Sequence, residues 1–298
     1  MTTQTTASAA TVVEWMRSIP SELRSFEVTP TDAAQLHGVG GELLEQLLDL
    51  GMPAAIGDGV PRFDARDLEN AALHLGLRSV QRWAMESWRK TLEQAAGLPA
   101  ARYRLAFSAR CDAHDDAERF DLLAPPGERH TWTAGSEPLG VSVELPNAWP
   151  SLPAGADEVA AAVSGLHFFE VPPPLRDEIG FARETRLAGC GIAAQLIVEE
   201  CRAHGLEARP AFGLLLSRPY ATPHVWTELA VDAAWVPFDP HLLTTLARHA
   251  GLDAGAWPPT RSPGAILVRL ADWREPLATH DGHLATAKVR TRIVDAAA

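Results

Sequence analysis

The chain has 298 residues, 46% of them hydrophobic and 21% charged, which is enough apolar material for a sizeable core in one large domain or two ordinary ones. With 38 acidic against 26 basic residues, its net charge of −12 argues against nonspecific nucleic-acid binding and against an anionic membrane surface. Three cysteines, Cys111, Cys190 and Cys201, cannot form a disulfide framework without a leftover, no apolar run reaches the roughly 20 residues of a membrane helix, and the first twenty residues lack the basic start and apolar run of a signal peptide.

These features predict a reduced, cytoplasmic protein. Lys90 and Lys288 are its lysines and every other basic residue is arginine, a skew that goes with GC-rich bacterial genomes. Residues 1–10, rich in Thr, Ala and Ser, read as disordered. From about residue 30 to 97 the signals are helical. "GELLEQLLDLGMP" sets Leu43, Leu44, Leu47 and Leu48 on one face before Gly51 and Pro53 stop it. "FDARDLENAALHLGL" has Asp64 as N-cap and ends at Gly76, and the next helix starts at Ser79 and carries Val80, Trp83, Ala84, Trp88 and Leu92 on a stripe. Near Tyr103 the pattern changes. "YRLAFSARC" alternates like a strand, and residues 112–160 are rich in Asp, Pro and Gly with short strand-like pieces such as "GVSVEL". Further on, "GIAAQLIVEECRAHG" repeats apolar residues at helical spacing and closes at Gly205. Three strand-like runs follow, "ARPAFGLLLS", "HVWTELAV" and "AWVPFDP", the last two joined by a short turn at Asp232–Ala234. One helix followed by an antiparallel meander predicts an α+β fold.

The chemistry centres on Cys190, placed where a loop becomes a helix between Gly189 and Gly191. A helix N-terminus presents unpaired N–H groups and the positive end of the dipole, which stabilise a thiolate and can hold an oxyanion. The two glycines leave room for a substrate. A nucleophilic thiol needs a base, and the base needs an orienting acid. If "HVWTEL" and "WVPFDP" pair through their turn, His224 and Asp239 meet at the open end of that hairpin. Taken singly, each residue has a plainer reading: Cys190 a small core side chain, His224 a strand-end residue, Asp239 a turn residue before Pro240. Their case is joint.

Taken together, "GCGIAAQLIVEECRAHGLEARPAFG", "HVWTEL" and "WVPFDP" resemble the transglutaminase-like cysteine enzymes over residues 187–241. The resemblance implies a papain-like core, a Cys-bearing helix packed on an antiparallel sheet, preceded here by a small helical region. It implies a triad of Cys190 as nucleophile, His224 as general base and acid, and Asp239 as orienter. It further implies acyl transfer at an amide or thioester through a thioester intermediate; the sequence shows no calcium-site pattern, and no cofactor is expected. The acyl donor would be small, peptidic or carrier-bound and the acceptor an amine or water, with amide-bond formation in a bacterial biosynthetic pathway as the main reading and hydrolysis or deamidation as its competitor. Gly189, Gly191 and Trp226 are the substrate-binding candidates. The chain departs from the family pattern at His241, which follows Asp-Pro where the family often has Thr. The oxyanion-supporting side chain has Trp132, Trp149 and Gln195 as candidates. The expected organisation is a flexible tail over 1–25, a mainly helical domain over 26–125 and a transglutaminase-like catalytic domain over 126–298.

Two rivals come from other classes: a catalytically silent binding scaffold of the same fold, and a regulator using the helices of 40–95 on nucleic acid, which the acidic balance disfavours. Cys201, eleven residues and about three turns beyond Cys190, reads as core. "CDAHDD" (Cys111, His114, Asp115, Asp116) and "HDGH" (His280, His283) carry ligand-type residues, but neither has a second cluster nearby in sequence. Each reads as a solvated loop, and no metal site is expected.

Overall fold

The computed structural model describes residues 6–114 and 118–294. Its first third runs α1 (Ala9–Arg17), β1 (Phe26–Val28), α2 (Pro30–His37), α3 (Gly41–Asp49), β2 (Ala55–Gly57), β3 (Val60–Asp64), α4 (Ala65–His74) and α5 (Val80–Ala96). Four strands follow, β4 (Ala100–Arg110), β5 (Arg119–Ala124), β6 (Glu128–Thr133) and β7 (Leu139–Pro146), then α6 (Ala156–Val163), β8 (His167–Phe168), α7 (Ile179–Thr185) and β9 (Leu187–Ala188). The remainder is α8 (Cys190–Ala203), β10 (Ala208–Leu215), β11 (Thr222–Val231), β12 (Ala234–Phe238), α9 (Pro240–Ala250), β13 (Leu267–Ala271), β14 (Ala278–His280), β15 (His283–Leu284) and β16 (Thr286–Val294). Helices and mainly antiparallel sheets together make the chain α+β; β8 and β9 pair in parallel. No helix among the described residues is long and apolar enough to cross a membrane.

The described residues form two compact units. The first takes the chain up to Glu86, Val163–Leu196 and His241–Trp257. It holds the early helices and the three-stranded sheet β1-β3-β2. Residues 9–17, expected within a flexible tail, form a helix instead. The Ser8 hydroxyl accepts the Thr11 N–H at its start, and Val12, Val13 and Met16 are buried along one stripe, which offsets the entropy of ordering the segment. Residues 1–5 lie outside the described residues. Arg24 anchors the same region. Its Nε donates to Asp67 Oδ2 at 2.7 Å and Nη1 to the Ile19 carbonyl at 2.8 Å, while Nη2 donates to the Met16 carbonyl. The caps follow the sequence pattern: the Asp64 carboxylate accepts the Arg66 N–H at the start of α4, and the Ser79 hydroxyl accepts the Arg82 N–H at the start of α5.

The second unit comprises Ser87–Ala162, Ile197–Pro240 and the described residues from Pro258 on. Its sheets are β12-β11-β10-β13, β15-β14-β5-β6 and β16-β4-β7. The stretch around 100–125, expected within a mainly helical domain, is strand: β4 pairs with β7 on one side and with β16, from the far C-terminus, on the other. Alternation buries Ala101, Tyr103, Leu105 and Phe107 and exposes the residues between them on the early part of the strand. The buried Tyr103 hydroxyl donates to the Ala265 carbonyl at 2.8 Å.

Candidate active site

Gly189 lies between β9 and α8. Its carbonyl accepts the Ala193 N–H at 3.1 Å, which makes Cys190 the first residue of the helix and Gly191 the second. The buried stripe Ile192, Ala193, Leu196, Ile197 and Cys201 fixes the rotation of α8. Cys190 is half-buried, whereas Cys111 and Cys201 are buried. Burial pushes the Cys201 thiol up to about 12, so that thiol is inert at neutral pH. Gly189 is not there to avoid a collision, since an added Cβ would come no nearer than 3.8 Å to the Phe169 carbonyl oxygen.

The second part of the site is built by a hairpin. Val231 pairs with Ala234 across a two-residue turn, and Asp232 takes the left-handed conformation (φ 52°) such a turn requires. From there the register runs to Thr227↔Phe238. Continued one step, it sets Asp239 across from Trp226, with His224 a diagonal neighbour on the same face. His224 Nε2 and Asp239 Oδ2 are 2.7 Å apart, and the residues are 8% and 4% exposed. A carboxylate bonded to Nε2 fixes the neutral ring's proton on that nitrogen and makes Nδ1 the basic one. The low local dielectric and the short contact make this bond stronger than a surface pair.

Two neighbours hold this hairpin in place. Trp226, 1% exposed, stacks its ring on that of His224 with centroids 6.2 Å apart at 13°. It is packed in the sheet, and its buried Nε1 has no acceptor among the described residues. Glu228 is a buried carboxylate between two arginines, 2.8 Å from Arg209 and 3.4 Å from Arg269, and the Arg209 guanidinium lies 4.0 Å over the Trp235 ring. This network ties β10, β11, β12 and β13 together. Only the glutamate in "HVWTEL" hinted at it in sequence, because its arginine partners come from separate strands.

Of the expected residues, the structure brings His224 and Asp239 together and stacks Trp226 on the imidazole. Cys190, Gly189 and Gly191 belong to the first unit, and the His224–Asp239 pair to the second. The oxyanion candidates fare differently. Trp132 Nε1 donates to the Glu137 carbonyl at 3.0 Å, in the loop that follows β6. Gln195 Nε2 lies 3.3 Å from Asp177. Trp149 packs against Gly264, where an added Cβ would meet its ring at 2.4 Å, and its buried Nε1 has no acceptor among the described residues.

Residues 172–240 match the core of the transglutaminase-like superfamily, a stretch that contains Cys190, His224 and Asp239. No protein of curated function matches the chain. A solved structure of a candidate cysteine protease from Cytophaga hutchinsonii is similar at 13% identity, over 66% of this chain and 92% of that one, with a TM-score of 0.34. At that score the likeness carries no weight for the fold of the whole chain. The chain carries a transglutaminase-like segment, of the kind found in cysteine enzymes.

Proposed function

We propose that this chain, with its transglutaminase-like segment, is a cysteine-dependent acyl-transfer enzyme in which Cys190 is the nucleophile, His224 the general base and acid, and Asp239 the residue that orients the imidazole. The buried 2.7 Å contact between His224 and Asp239 carries the reading. It holds an imidazole in one tautomer inside the matched segment, which also contains a half-buried thiol at a helix start. A surface histidine or a turn aspartate has no need of such a contact.

The reaction runs in two halves. The Cys190 thiol gives its proton to His224, and its sulfur attacks the carbonyl carbon of an amide or thioester donor. The carbonyl oxygen takes the negative charge, facing the N–H groups of the first turn of α8. As the tetrahedral adduct collapses, the bond to the donor's nitrogen or sulfur breaks. His224 protonates the leaving group, and the acyl group stays on Cys190 as a thioester. An amine then attacks that carbonyl, gives its proton to His224 and expels the Cys190 thiolate. With an amine the product is an amide; with water it is an acid, the hydrolytic variant of the same site. The reading also requires a papain-like placement of the Cys-bearing helix on the sheet. Amide formation in a bacterial, cytoplasmic biosynthetic pathway remains the favoured setting.

Iodoacetamide labelling against pH, with each cysteine located by mass spectrometry, tests the pair. Cys190 is expected to label well below the ordinary thiol pKa of about 8.5, and His224→Ala to slow it selectively. Cys190 labelling that tracks an ordinary thiol, or ignores His224→Ala, would put the silent scaffold ahead. With labelling established, incubation with thioester donors in the presence and absence of amines separates transfer from hydrolysis.

A further inference from the structure

The second unit brings together two loops that are remote in sequence. Cys111 and His114 follow the end of β4; His280 and His283 flank the turn between β14 and β15. β4 and β16 pair as far as Arg110↔Thr286, so the chain leaving β4 runs beside the chain entering β16. The Thr286 hydroxyl donates to Asp112 Oδ2 at 2.9 Å across that junction. His280 and His283 are direct cross-strand partners about a turn in which Asp281 and Gly282 both have positive φ (47° and 80°), so both imidazoles stand on one face.

The three spacings measured from His114 come near those of a ligand set. The His114 ring centroid is 5.6 Å from that of His280 and 5.5 Å from that of His283. Two imidazoles on one tetrahedral zinc, each bound at about 2.0–2.1 Å, have centroids about 5 Å apart. Cys111 Sγ is 3.3 Å from His114 Nδ1, against about 3.5 Å for a sulfur and a nitrogen sharing one zinc. His280 Nδ1 lies 2.8 Å from the Arg119 carbonyl, the outer-shell contact that turns a histidine's Nε2 toward a metal. Asp281, 3.6 Å from that Nε2, would yield its place. The donors are not yet gathered: among the described residues no three of them converge on one point. Cys111 is buried while His114 and His283 are exposed. The buried thiol is therefore the floor of the cluster, and gathering the donors requires the two exposed rings to turn toward it.

We propose that Cys111, His114, His280 and His283 form a site for a tetrahedral divalent transition ion, zinc by the softness of its donor set. Binding expels the Cys111 proton to solvent and forms one metal–sulfur and three metal–nitrogen bonds. Four protein ligands leave no open position, so the ion staples β4 and β16 to the β14–β15 hairpin and takes no part in chemistry at Cys190.

The test is a Co2+ titration of the metal-free full chain, followed in the near-ultraviolet and visible and then challenged with Zn2+. One equivalent is expected to give a thiolate-to-cobalt charge-transfer band and the visible bands of a tetrahedral ion, and Zn2+ to erase both. Cys190→Ala should leave the titration unchanged. His114→Gln and His283→Gln, both at exposed positions, should each weaken uptake by about tenfold or more, and Cys111→Ser should remove the charge-transfer band while circular dichroism confirms the fold. No uptake at micromolar Co2+, or uptake that is lost with Cys190→Ala and survives both histidine variants, would overturn the site.

Discussion

Gly213 sits in β10 directly opposite His224 on one side and Arg269 of β13 on the other. A Cβ built there would lie 1.9 Å from the Val268 carbonyl oxygen, 2.9 Å from its carbon and 3.1 Å from Arg269 Cα. All three atoms are backbone, so no side chain can swing away. In Gly213→Ala the strands β10 and β13 must part by about 1 Å to bring that oxygen to a tolerable distance, which lengthens ladder bonds of about 2.9 Å beyond hydrogen-bonding range. Losing two or three of them at about 1 kcal/mol each, with overpacking strain of similar size, predicts a loss of about 3 kcal/mol or more. Against a total stability of about 5–15 kcal/mol that is a severe lesion, and at an m-value of about 3 kcal/mol per molar it lowers the urea midpoint by about 1 M. The assay is urea unfolding followed by tryptophan fluorescence. Gly140→Ala serves as the control, since its Cβ would meet nothing within 4 Å and the substitution should be neutral or slightly stabilising. A Gly213→Ala protein within about 0.5 kcal/mol of wild type would refute the close approach of β13 to the strand beside His224.

Three further outcomes are expected. Arg24→Met strands the Asp67 carboxylate, since both side chains are under about a tenth exposed; the loss should be about 3–5 kcal/mol, and adding Asp67→Asn should recover a good part of it in the same assay. Asp239→Ala leaves a buried imidazole N–H without its acceptor and should cost about 1–3 kcal/mol, measured by urea midpoint at neutral pH. Burial, with Arg248 nearby, lowers His74 and His167 to about 4 and His249 to about 3. The unfolded chain then binds these protons first, so the stability they contribute is full above about pH 6.5 and is lost as pH falls toward 4. Asp67, raised by burial to about 6, and Glu69, also raised by burial, take up protons in the folded chain and work the other way over the lower part of that window, but they are two groups against four, since burial lowers His37 as well. The urea midpoint is expected to fall between pH 7 and 4.5; a midpoint that holds or rises would contradict the neutral, buried histidines.

Much of this protein is local enough to read from its residues in order. The Asp64 and Ser79 caps, the stripe on α8, the glycine stop after it, and the β11–β12 hairpin with its turn at Asp232 all rest on interactions within a few residues or across one short turn. The meeting of His224 and Asp239 belongs with them, because a two-residue turn sets the register and the register sets the pair. Other features depend on partners that lie on separate strands, well apart in the chain. β4 reads as an isolated strand until β16 arrives from the C-terminus to cover its edge. The first helix reads as tail because its buried face, Val12, Val13 and Met16, has value only against a packed neighbour. Glu228 gains its two arginines from β10 and β13. "CDAH" and "HDGH" are two unremarkable loops in the linear chain, and only the pairing of Arg110 with Thr286 sets one beside the other. Periodicity and turn chemistry report on what a segment does for itself; long-range pairing reports on what the rest of the chain offers it, and that is decided by packing.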